Sequence, residues 1–281
     1  MKRIGIIAKK GEPQAVAVVR SMLKQLKGRR VTCFIESELA SRLGVKGCRR
    51  EEIPSKSDII MVFGGDGTLL SVARLVGDKG VPILGINLGN LGFITELNRK
   101  ELHENMDAVF SEKYSFEERI MLLADVYRGK KKILRHNAFN DVVLNKNVLS
   151  RMFELDIIVN SQYANSLRAD GLIISTPTGS TAHSLSAGGP ILYPTLETFL
   201  MTPICPHTLT NRPIVLPDTF ILEIKIKGGD DVYMTIDGQE GFPLKVRDRV
   251  VIKKADYKAK FLVLHSRDYF HILRTKLKWG E

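Results

Sequence analysis

The architecture of the first part of this chain is indicated by residues 58–68, Asp58-Ile59-Ile60-Met61-Val62-Phe63-Gly64-Gly65-Asp66-Gly67-Thr68. Its first six residues form a short, apolar and β-branched run, which is typical of a buried parallel strand. The glycines permit a tight turn, and the apolar residues of 69–76 follow at near-helical spacing. The pattern therefore predicts a strand, a turn and a helix whose first N–H groups face the ligand of the turn.

The carboxylate of Asp66 is unexpected in such a turn, because the ligand most typical of it is a phosphate. Two unit charges about 4 Å apart interact by about 1 kcal/mol in water and by about 4 kcal/mol at a surface-like dielectric. Asp66 would accept a proton from, or orient, a hydroxyl that becomes phosphorylated, or it would help to hold Mg²⁺ between phosphates. Both roles indicate phosphoryl transfer, and an ordinary glycine-rich turn is the alternative.

Composition indicates a globular protein of one large domain or two. The chain has 281 residues, of which 44% are apolar and 26% charged. It has no apolar run long enough for a membrane helix, and its amino terminus does not resemble a signal peptide. Cys33, Cys48 and Cys205 are far apart and match no metal spacing. We therefore expect free thiols in a cytoplasmic protein without a membrane partner.

The net charge of +11 raises the question of nucleic-acid binding. Lysines and arginines are spread along the chain, and the clusters at 130–132 and 253–254 are typical of solvated turns. No nucleic-acid module is recognisable. A positive field would also favour polyphosphorylated ligands, so we expect no nucleic-acid partner.

Residues 1–117 alternate strand and helix patterns, which predicts an open, doubly wound parallel sheet. Ligands of such sheets bind beyond the carboxyl ends of the strands, where the loops Gly64–Thr68 and Asn87–Phe93 lie. Strands are predicted at 4–8, 31–35, 58–63 and 81–87, and helices at 13–27, 38–43 and 100–110.

Residues 118–266 contain many short strand patterns separated by Gly, Pro and Asp turns, which predicts an antiparallel, sandwich-like β domain. The segments 249–254 and 259–264 are predicted as two separate strands. One helix is expected near Ser180–Ala187. The tail 267–281 has a helical pattern over 268–277, and we expect it to pack back on the first domain.

The segment 168–190 is dense in small polar residues that follow an apolar strand and lead into a small-residue helix. Small residues let a flat ring or a ribose approach the backbone, and hydroxyls together with Asp170 can bind an amide or ribose edge. A helix capped by Thr178 or Ser180 and ended by Gly188 would explain part of the pattern equally. The two interpretations are compatible, and we predict a nucleotide site.

Taken together and in order, these motifs resemble the bacterial NAD kinase family. The first motif alone is shared with diacylglycerol, sphingosine and phosphofructo-type kinases, whereas the block from Asp170 to Pro190 is specific. The matching segments cover most of the chain: Gly64–Thr68, Asn87–Phe93, Asn140-Asp141, Asp170–Pro190, Pro203–His207, Arg212-Pro213 and Asp237-Gly238-Gln239.

The resemblance implies phosphorylation of the 2′-hydroxyl of the adenosine ribose of NAD, which gives NADP. The donor in the family is ATP or, in some members, inorganic polyphosphate, with a divalent metal such as Mg²⁺ or Mn²⁺. The family pairs an α/β domain with a β-sandwich domain and has its active site between them. It forms homodimers or homotetramers in which a neighbouring subunit contributes to the NAD site.

Residue by residue, the resemblance implies that Asp66 binds the NAD ribose and acts as the general base or positions it. Asp170 would contact the nicotinamide end, and Asp237 would lie near the reacting centre or a subunit contact. Arg168 precedes the Asp170 segment and would tune the preference for oxidised or reduced cofactor, with a surface ion pair as the alternative. The remaining implied contacts fall into three groups: Gly64, Gly65, Gly67 and Thr68 at phosphates, Asn140 and Asp141 at the adenosine, and Thr181, Ala182, His183 and Ser186 along the nucleotide pocket.

The chain departs from the family pattern at two positions. Asp141 stands where the family usually has Glu, so a direct contact must shift or pass through water. His183 stands where the family usually has Tyr, so stacking can persist while a phenol hydrogen bond is lost. Simple packing against the ligand is the favoured role of His183, and proton transfer is the alternative.

Three other functions compete with NAD phosphorylation. A lipid kinase would need an apolar groove, whereas the 170–190 block is small and polar. A sugar kinase is disfavoured by the long β-rich second half. A non-catalytic NAD-binding regulator would have no use for Asp66 in a phosphate-binding turn.

Overall fold

The structure is a computed structural model that describes residues 2–89, 92–147, 151–208, 210–229, 231–264 and 268–279. The chain forms two compact units. Unit one comprises Met1–Glu118 and Ala259–Glu281, and unit two comprises Arg119–Lys258. The sequence predicts functional domains at 1–117 and 118–266, with the tail 267–281 packed on the first, and this division stays a prediction. Positions 267, 280 and 281 of that tail lie outside the described residues.

Unit one begins as a regular alternation of strands and helices. In chain order the elements are β1 (Lys2–Ala8), α1 (Pro13–Gln25), β2 (Val31–Ile35), α2 (Ser37–Leu43), α3 (Ile53–Lys56), β3 (Ile59–Phe63), α4 (Asp66–Val76), β4 (Ile83–Asn87), β5 (Leu97–Asn98) and α5 (Arg99–Phe110). The predicted helices at 13–27, 38–43 and 100–110 are confirmed to within two residues at each end.

The sheet of unit one is parallel, with the order β2-β1-β3-β4. Every residue of β3 and β4 is buried, as expected for strands that are covered on both faces. Helix α1 buries Ala15, Val18, Val19 and Met22 against this sheet's apolar cluster. The predicted open parallel sheet is confirmed, and it places the ends of β3 and β4 side by side.

Unit two contains the antiparallel strands of the second half. In chain order these are β6 (Ser115–Arg128), β7 (Lys131–Ala138), β8 (Asp141–Lys146), β9 (Phe153–Val159), β10 (Gln162–Ala169), β11 (Gly171–Ser175), the short helix α6 (His183–Ser186), β12 (Thr198–Ile204), β13 (Ile214–Pro217), β14 (Leu222–Gly228), β15 (Val232–Ile236), β16 (Glu240–Leu244) and β17 (Asp248–Val263). Strands β6 and β17 begin or end in unit one.

Two antiparallel layers form the core of unit two. One has the order β13-β12-β11-β8-β15-β16, and the other contains β10-β9-β14-β17. Inward-facing residues of both layers join one apolar cluster that includes Leu144, Ile174, Ile224 and Val250. Strand β14 alternates buried and more exposed residues, as a sheet with one core face requires. The predicted sandwich-like domain is confirmed.

Two sequence predictions differ from the observed elements. The segments 249–254 and 259–264 are one continuous strand, β17, because the residues between them stay extended with Ala255 and Ala259 buried. The helix expected near Ser180–Ala187 is split into a 3₁₀ turn, Thr178–Thr181, and the four-residue α6.

The tail forms helix α7 (Tyr269–Leu277), which buries Ile272 and Leu273. In the same unit, the end of β17 extends the parallel sheet, where Phe261 pairs with Ile83 of β4. Leu262 belongs to the apolar cluster of unit one. The last part of the chain therefore contributes a strand and core side chains to the first unit.

Candidate functional site

The glycine-rich turn joins β3 to α4 as the sequence predicts. Helix α4 begins at Asp66, with Gly65 as its N-cap residue. A side chain at Gly64 would overlap that of Thr68, whereas one at Gly65 would meet no atom within 4 Å. Gly64 is therefore required by local packing, and Gly65 leaves open space in front of the first turn of α4, where a ligand can approach the backbone.

The Asp66 carboxylate faces the loop that follows β4. Its Oδ2 accepts the backbone N–H of Phe93 at 2.8 Å, and its Oδ1 accepts that of Ile94 at 3.1 Å. A Cβ atom at Gly92 would overlap Oδ1, so only glycine permits this approach. The carboxylate is thus oriented by two backbone donors and retains lone pairs for a further donor.

Side chains within the second loop stabilise it further. The Asn87 side chain accepts the N–H of Gly89 at 2.8 Å. The Thr95 hydroxyl, 1% exposed, accepts the N–H of Gly92 at 3.3 Å and lies 3.4 Å from the Asn87 amide nitrogen. Asn90 and Leu91 of the predicted motif lie outside the described residues. The structure brings the two predicted loops of unit one together around Asp66.

In unit two, the turn between β7 and β8 is held by the carboxylate of Asp237. The Asp237 oxygens accept the backbone N–H groups of Phe139, Asn140 and Asp141 at 2.7–3.1 Å. Asp237 and Gly238 both have positive φ angles, +49° and +62°, which form the tight turn between β15 and β16. This turn aims the Asp237 side chain at the residues before β8.

The backbone carbonyl of Asn140 is fixed from the opposite side. It accepts the N–H of Thr176 at 2.9 Å and the Ser175 hydroxyl at 3.1 Å. A Cβ atom at Gly179 would overlap that carbonyl. The side-chain Oδ1 of Asn140 is fully buried and has no hydrogen-bond partner among the described residues. Asn140 is thus a rigidly held residue with an unused acceptor.

Asp141 is 3% exposed. Burial raises the pKa of its carboxyl to about 7, and repulsion by the Asp237 carboxylate adds to the increase. A carboxyl group in this environment exchanges its proton near neutral pH. Asp141 therefore differs from an ordinary surface aspartate and contributes a protonation equilibrium beside Asn140.

The small-residue block continues from β11 into the 3₁₀ turn and α6. Thr181 and Ala182 are half-buried, and His183 and Ser186 are exposed. Ser180 is fully buried and binds the backbone of Leu192 and Pro177, so it does not cap a helix. Gly188, with φ +84°, ends α6 in the manner expected of a glycine after a helix.

Asp170 and Asn140 lie at opposite ends of the paired strands β8 and β11, because Ser175 pairs with Asp141 and Gly171 with Asn145. Asp170 lies opposite Lys146, six residues along β8 from Asn140, so at about 3.3 Å per residue the two positions are roughly 20 Å apart. The Asp170 carboxylate lies 3.2 Å from the Lys146 ammonium. The structure therefore does not bring these two predicted contact residues together within one unit.

Arg168 is exposed on β10, directly before Ala169 and Asp170. Its backbone carbonyl accepts the N–H of His207 at 2.9 Å. Its guanidinium makes no ion pair with any described residue of the chain, although Glu154 is opposite it in the sheet register. Among the described residues, the surface ion pair considered as an alternative role of Arg168 has no partner, and both roles stay predictions.

The described ranges contain no group of three or more His, Cys, Asp and Glu side chains that could hold a metal ion. The same part of the chain contains no helix that is both long and apolar enough to cross a membrane.

Sequence reasoning missed the residues that hold Asn140 in place. Thr176 donates its hydroxyl to the Phe139 carbonyl at 2.7 Å, and the nearly buried Arg119 donates to the Thr178 hydroxyl at 3.3 Å. The Asp-Gly turn at Asp237 carries a detectable signal, because that dipeptide favours tight hairpins. Nothing in the sequence indicates which distant backbone groups its carboxylate binds.

Two family models together match most of the chain. The model of the ATP-NAD kinase N-terminal domain matches residues 4–114, and that of the ATP-NAD kinase C-terminal domain matches residues 139–264. The chain is 47% identical over 282 residues to the NAD kinase of Geobacter metallireducens and 45% identical over 283 residues to that of Geotalea daltonii, in each case over 100% of both chains.

Solved structures agree with this assignment. The crystal structure of yeast NADH kinase complexed with NADH has a TM-score of 0.92 at 25% identity and covers 100% of this chain and 89% of that chain. The structure of an NAD kinase from Archaeoglobus fulgidus in complex with ATP has a TM-score of 0.77 at 22% identity, covers 98% of both chains and supports the fold. From the two domain matches and the full-length relatives, we conclude that this chain belongs to the NAD kinase family.

Proposed function

We propose that this chain transfers a phosphoryl group to the 2′-hydroxyl of the adenosine ribose of NAD, which gives NADP. The observation that carries the proposal is the buried, unpartnered Oδ1 of Asn140 on a backbone that Asp237 and Thr176 hold rigid. A buried acceptor without a donor costs free energy. The exocyclic amine of adenine is a donor that would satisfy it.

Asp66 is the proposed base. Its carboxylate, oriented by the N–H groups of Phe93 and Ile94, accepts the proton of the 2′-hydroxyl. The freed ribose oxygen then forms a bond to the terminal phosphorus of the donor as the bond to the leaving phosphate breaks. The open space beside Gly65 and the N–H groups at the start of α4 supply a suitable place for phosphates, with Gly64, Gly67 and Thr68 in the same turn.

The donor is proposed to be ATP, because both family descriptions name ATP together with NAD. Inorganic polyphosphate is the alternative that the resemblance allows. Mg²⁺ or Mn²⁺ would neutralise phosphate charge when bound. The protein groups of the proposed step are Asp66 and the backbone of its turn.

The rest of the dinucleotide is assigned to unit two. Asn140 and Asp141 take the adenosine, Thr181, Ala182, His183 and Ser186 line the nucleotide pocket, and Asp170 with Arg168 takes the nicotinamide end. Asn140 and Asp170 lie at opposite ends of β8 and β11, as residues at the two ends of an extended dinucleotide would. The family resemblance further suggests a homodimer or homotetramer in which a neighbouring copy completes the NAD site. Three free cysteines support a reducing, cytoplasmic location.

Deoxy analogues of NAD test the acceptor hydroxyl directly. We expect turnover with NAD and with an analogue that lacks the 3′-hydroxyl of the adenosine ribose, and none with the 2′-deoxy analogue. Each acceptor is tested with ATP and with polyphosphate, in Mg²⁺, Mn²⁺ or a chelator, and the product is identified by mass and by ³¹P NMR. Phosphorylation of the 2′-deoxy analogue would show that another hydroxyl is the acceptor.

A further inference from the structure

A cavity in unit two is lined by cations and has no assigned role. Its volume is about 470 Å³, and no Asp or Glu contributes to its lining. We call it the cationic cavity and define it by its lining residues: Gly129, Lys225, Ile226, Lys227, Val246, Arg247 and Arg249. Four cations around one concave surface form an unusual arrangement, because like charges repel.

The sheet register places two of these cations directly opposite each other. Lys225 of β14 pairs with Arg249 of β17, and like charges in such a position destabilise a sheet. Lys227 lies where the pairing of β14 with β9 is irregular, and its ammonium reaches Asp156, the residue directly opposite Lys225, so the two lysines lie on the same side of the sheet. The fold therefore accepts a local electrostatic cost to place three cations on this face.

Two carboxylates hold the cations in place without neutralising them all. Glu223 lies 3.3 Å from the Lys225 ammonium and 3.0 Å from the Arg249 guanidinium. Asp156 lies 3.2 Å from the Lys227 ammonium. Four cations thus face two carboxylates, and the cluster keeps an excess positive charge.

The two arginines are restrained further. The Arg249 guanidinium lies 4.6 Å from the centre of the Tyr127 ring, which limits its rotation. Arg247 has a φ angle of +72°, a conformation that is strained for a residue other than glycine, and its N–H donates to the Ile226 carbonyl at 2.9 Å. Among the described residues, no carboxylate forms an ion pair with the Arg247 side chain, so its charge is available to a ligand.

We propose that the cationic cavity binds a multivalent phosphate anion of the size of inorganic triphosphate. Arginine presents a planar set of donors that matches phosphate oxygens, and lysine adds a point charge. A single phosphate would reach only part of a cation set that is spread over two strands and a turn. The cavity shares no residue with those assigned to NAD or to phosphoryl transfer, so this site is independent of the proposed reaction.

Calorimetric titration with sodium triphosphate tests the proposal, with EDTA present so that no transfer occurs. The site variant is Lys227→Gln with Arg247→Gln. The control variant, Lys24→Gln with Lys27→Gln, removes the same charge from exposed positions of unit one. The site variant removes two charged hydrogen-bond donors, so we expect it to bind roughly a hundredfold to ten-thousandfold more weakly at one site.

Affinity for triphosphate, kinase rate and melting temperature are compared between the wild type and the variants. Wild type and the control variant should bind alike, Arg247→Lys should retain most of the affinity, and the site variant should keep the kinase rate and melting temperature of the wild type. If the double variant melts early, Arg247→Gln alone is titrated. The proposal would be overturned if the site variant bound triphosphate as tightly as the wild type, or if the control variant lost as much affinity as the site variant. It would also be overturned if a DNA duplex displaced triphosphate at a lower concentration of phosphate groups.

Discussion

The carboxylate of Asp237 accepts the backbone N–H of Asn140 at 2.7 Å, although the two residues are 97 positions apart. The same carboxylate accepts the N–H groups of Phe139 and Asp141. In the turn that precedes β8, the Asp237 carboxylate thus binds the backbone N–H groups that a neighbouring strand would otherwise bind. In the proposed NAD site it is a positioning residue, because it would act on the nucleotide only through the backbone of Asn140.

Replacement of Asp237 by alanine should impair both stability and NAD binding. It leaves three backbone donors without their acceptor, and an unsatisfied buried donor costs about 1–3 kcal/mol. We expect a loss of at least about 3 kcal/mol in the free energy of unfolding in urea and a raised KM for NAD. Asp256→Ala, at an exposed position of β17, is the control. Unchanged stability and KM in Asp237→Ala would refute the positioning role.

Asp66→Asn should bind NAD with modest change and lose most of its turnover. Removal of a general base typically lowers the rate by about 10²–10⁴-fold. Because the variant also disturbs the N–H groups of Phe93 and Ile94, Thr95→Val serves as the control that loosens the same loop but keeps the carboxylate. A kcat for Asp66→Asn within a few-fold of wild type, or equal to that of Thr95→Val, would leave Asp66 with a structural role only.

Asp141 should make stability fall as the pH rises from about 4 to 7. Burial raises the pKa of its carboxyl to about 7 in the folded chain, whereas an unfolded aspartate has a pKa of about 3.9. Between these values the folded chain retains a proton that the unfolded chain has lost, so this group's contribution is greatest below pH 4.

Asp141→Asn removes that proton equilibrium at nearly constant shape. Relative to wild type, its free energy of unfolding should rise with pH by at most about 1.4 kcal/mol per unit, and the gain should level off above pH 7. Urea titrations at pH 5, 6, 7 and 8 measure the difference. A difference between variant and wild type that does not change with pH would contradict the raised pKa.

The longer elements of unit one were predictable because each has a local signal, whereas the short α3 and β5 were not predicted. Strand β3 is continuously apolar, and α4 begins at a glycine turn with helical spacing behind it. The two loops around Asp66 were predictable as neighbours, because parallel strands end at the same edge. Their hydrogen bonds were not, since the Asp66 contacts reach Phe93 and Ile94 across 27 and 28 positions.

The residues that hold the Asn140 backbone could not be predicted from the sequence for a similar reason. Thr176 directly follows β11, and Asp237 directly follows β15; these two strands flank β8 in the sheet. The order of strands in an antiparallel layer depends on packing and is not indicated by any single motif. The continuous β17 was missed because Asp256 and Lys258 resemble a turn locally, whereas their buried neighbours Ala255 and Ala259 keep the strand extended.

Arg168→Gly should increase activity with NADH relative to NAD. Arg168 is exposed beside the Asp170 segment and has no ion-pair partner among the described residues, so its bulk and charge are free to restrict the nicotinamide ring. We compare kcat/KM for both cofactors in wild type and variant, with Arg151→Gly at another exposed position as the control. If the ratio of kcat/KM for NADH to that for NAD does not rise in Arg168→Gly, Arg168 has no role in the choice of cofactor.

The proposed formation of NADP from NAD is tested by a single coupled assay. The pure protein is incubated with NAD, Mg²⁺ and either ATP or polyphosphate, and NADP is measured with a dehydrogenase that accepts only NADP. We predict NADP formation that depends on the donor and on Asp66. Folded protein that forms no NADP with either donor would contradict the account.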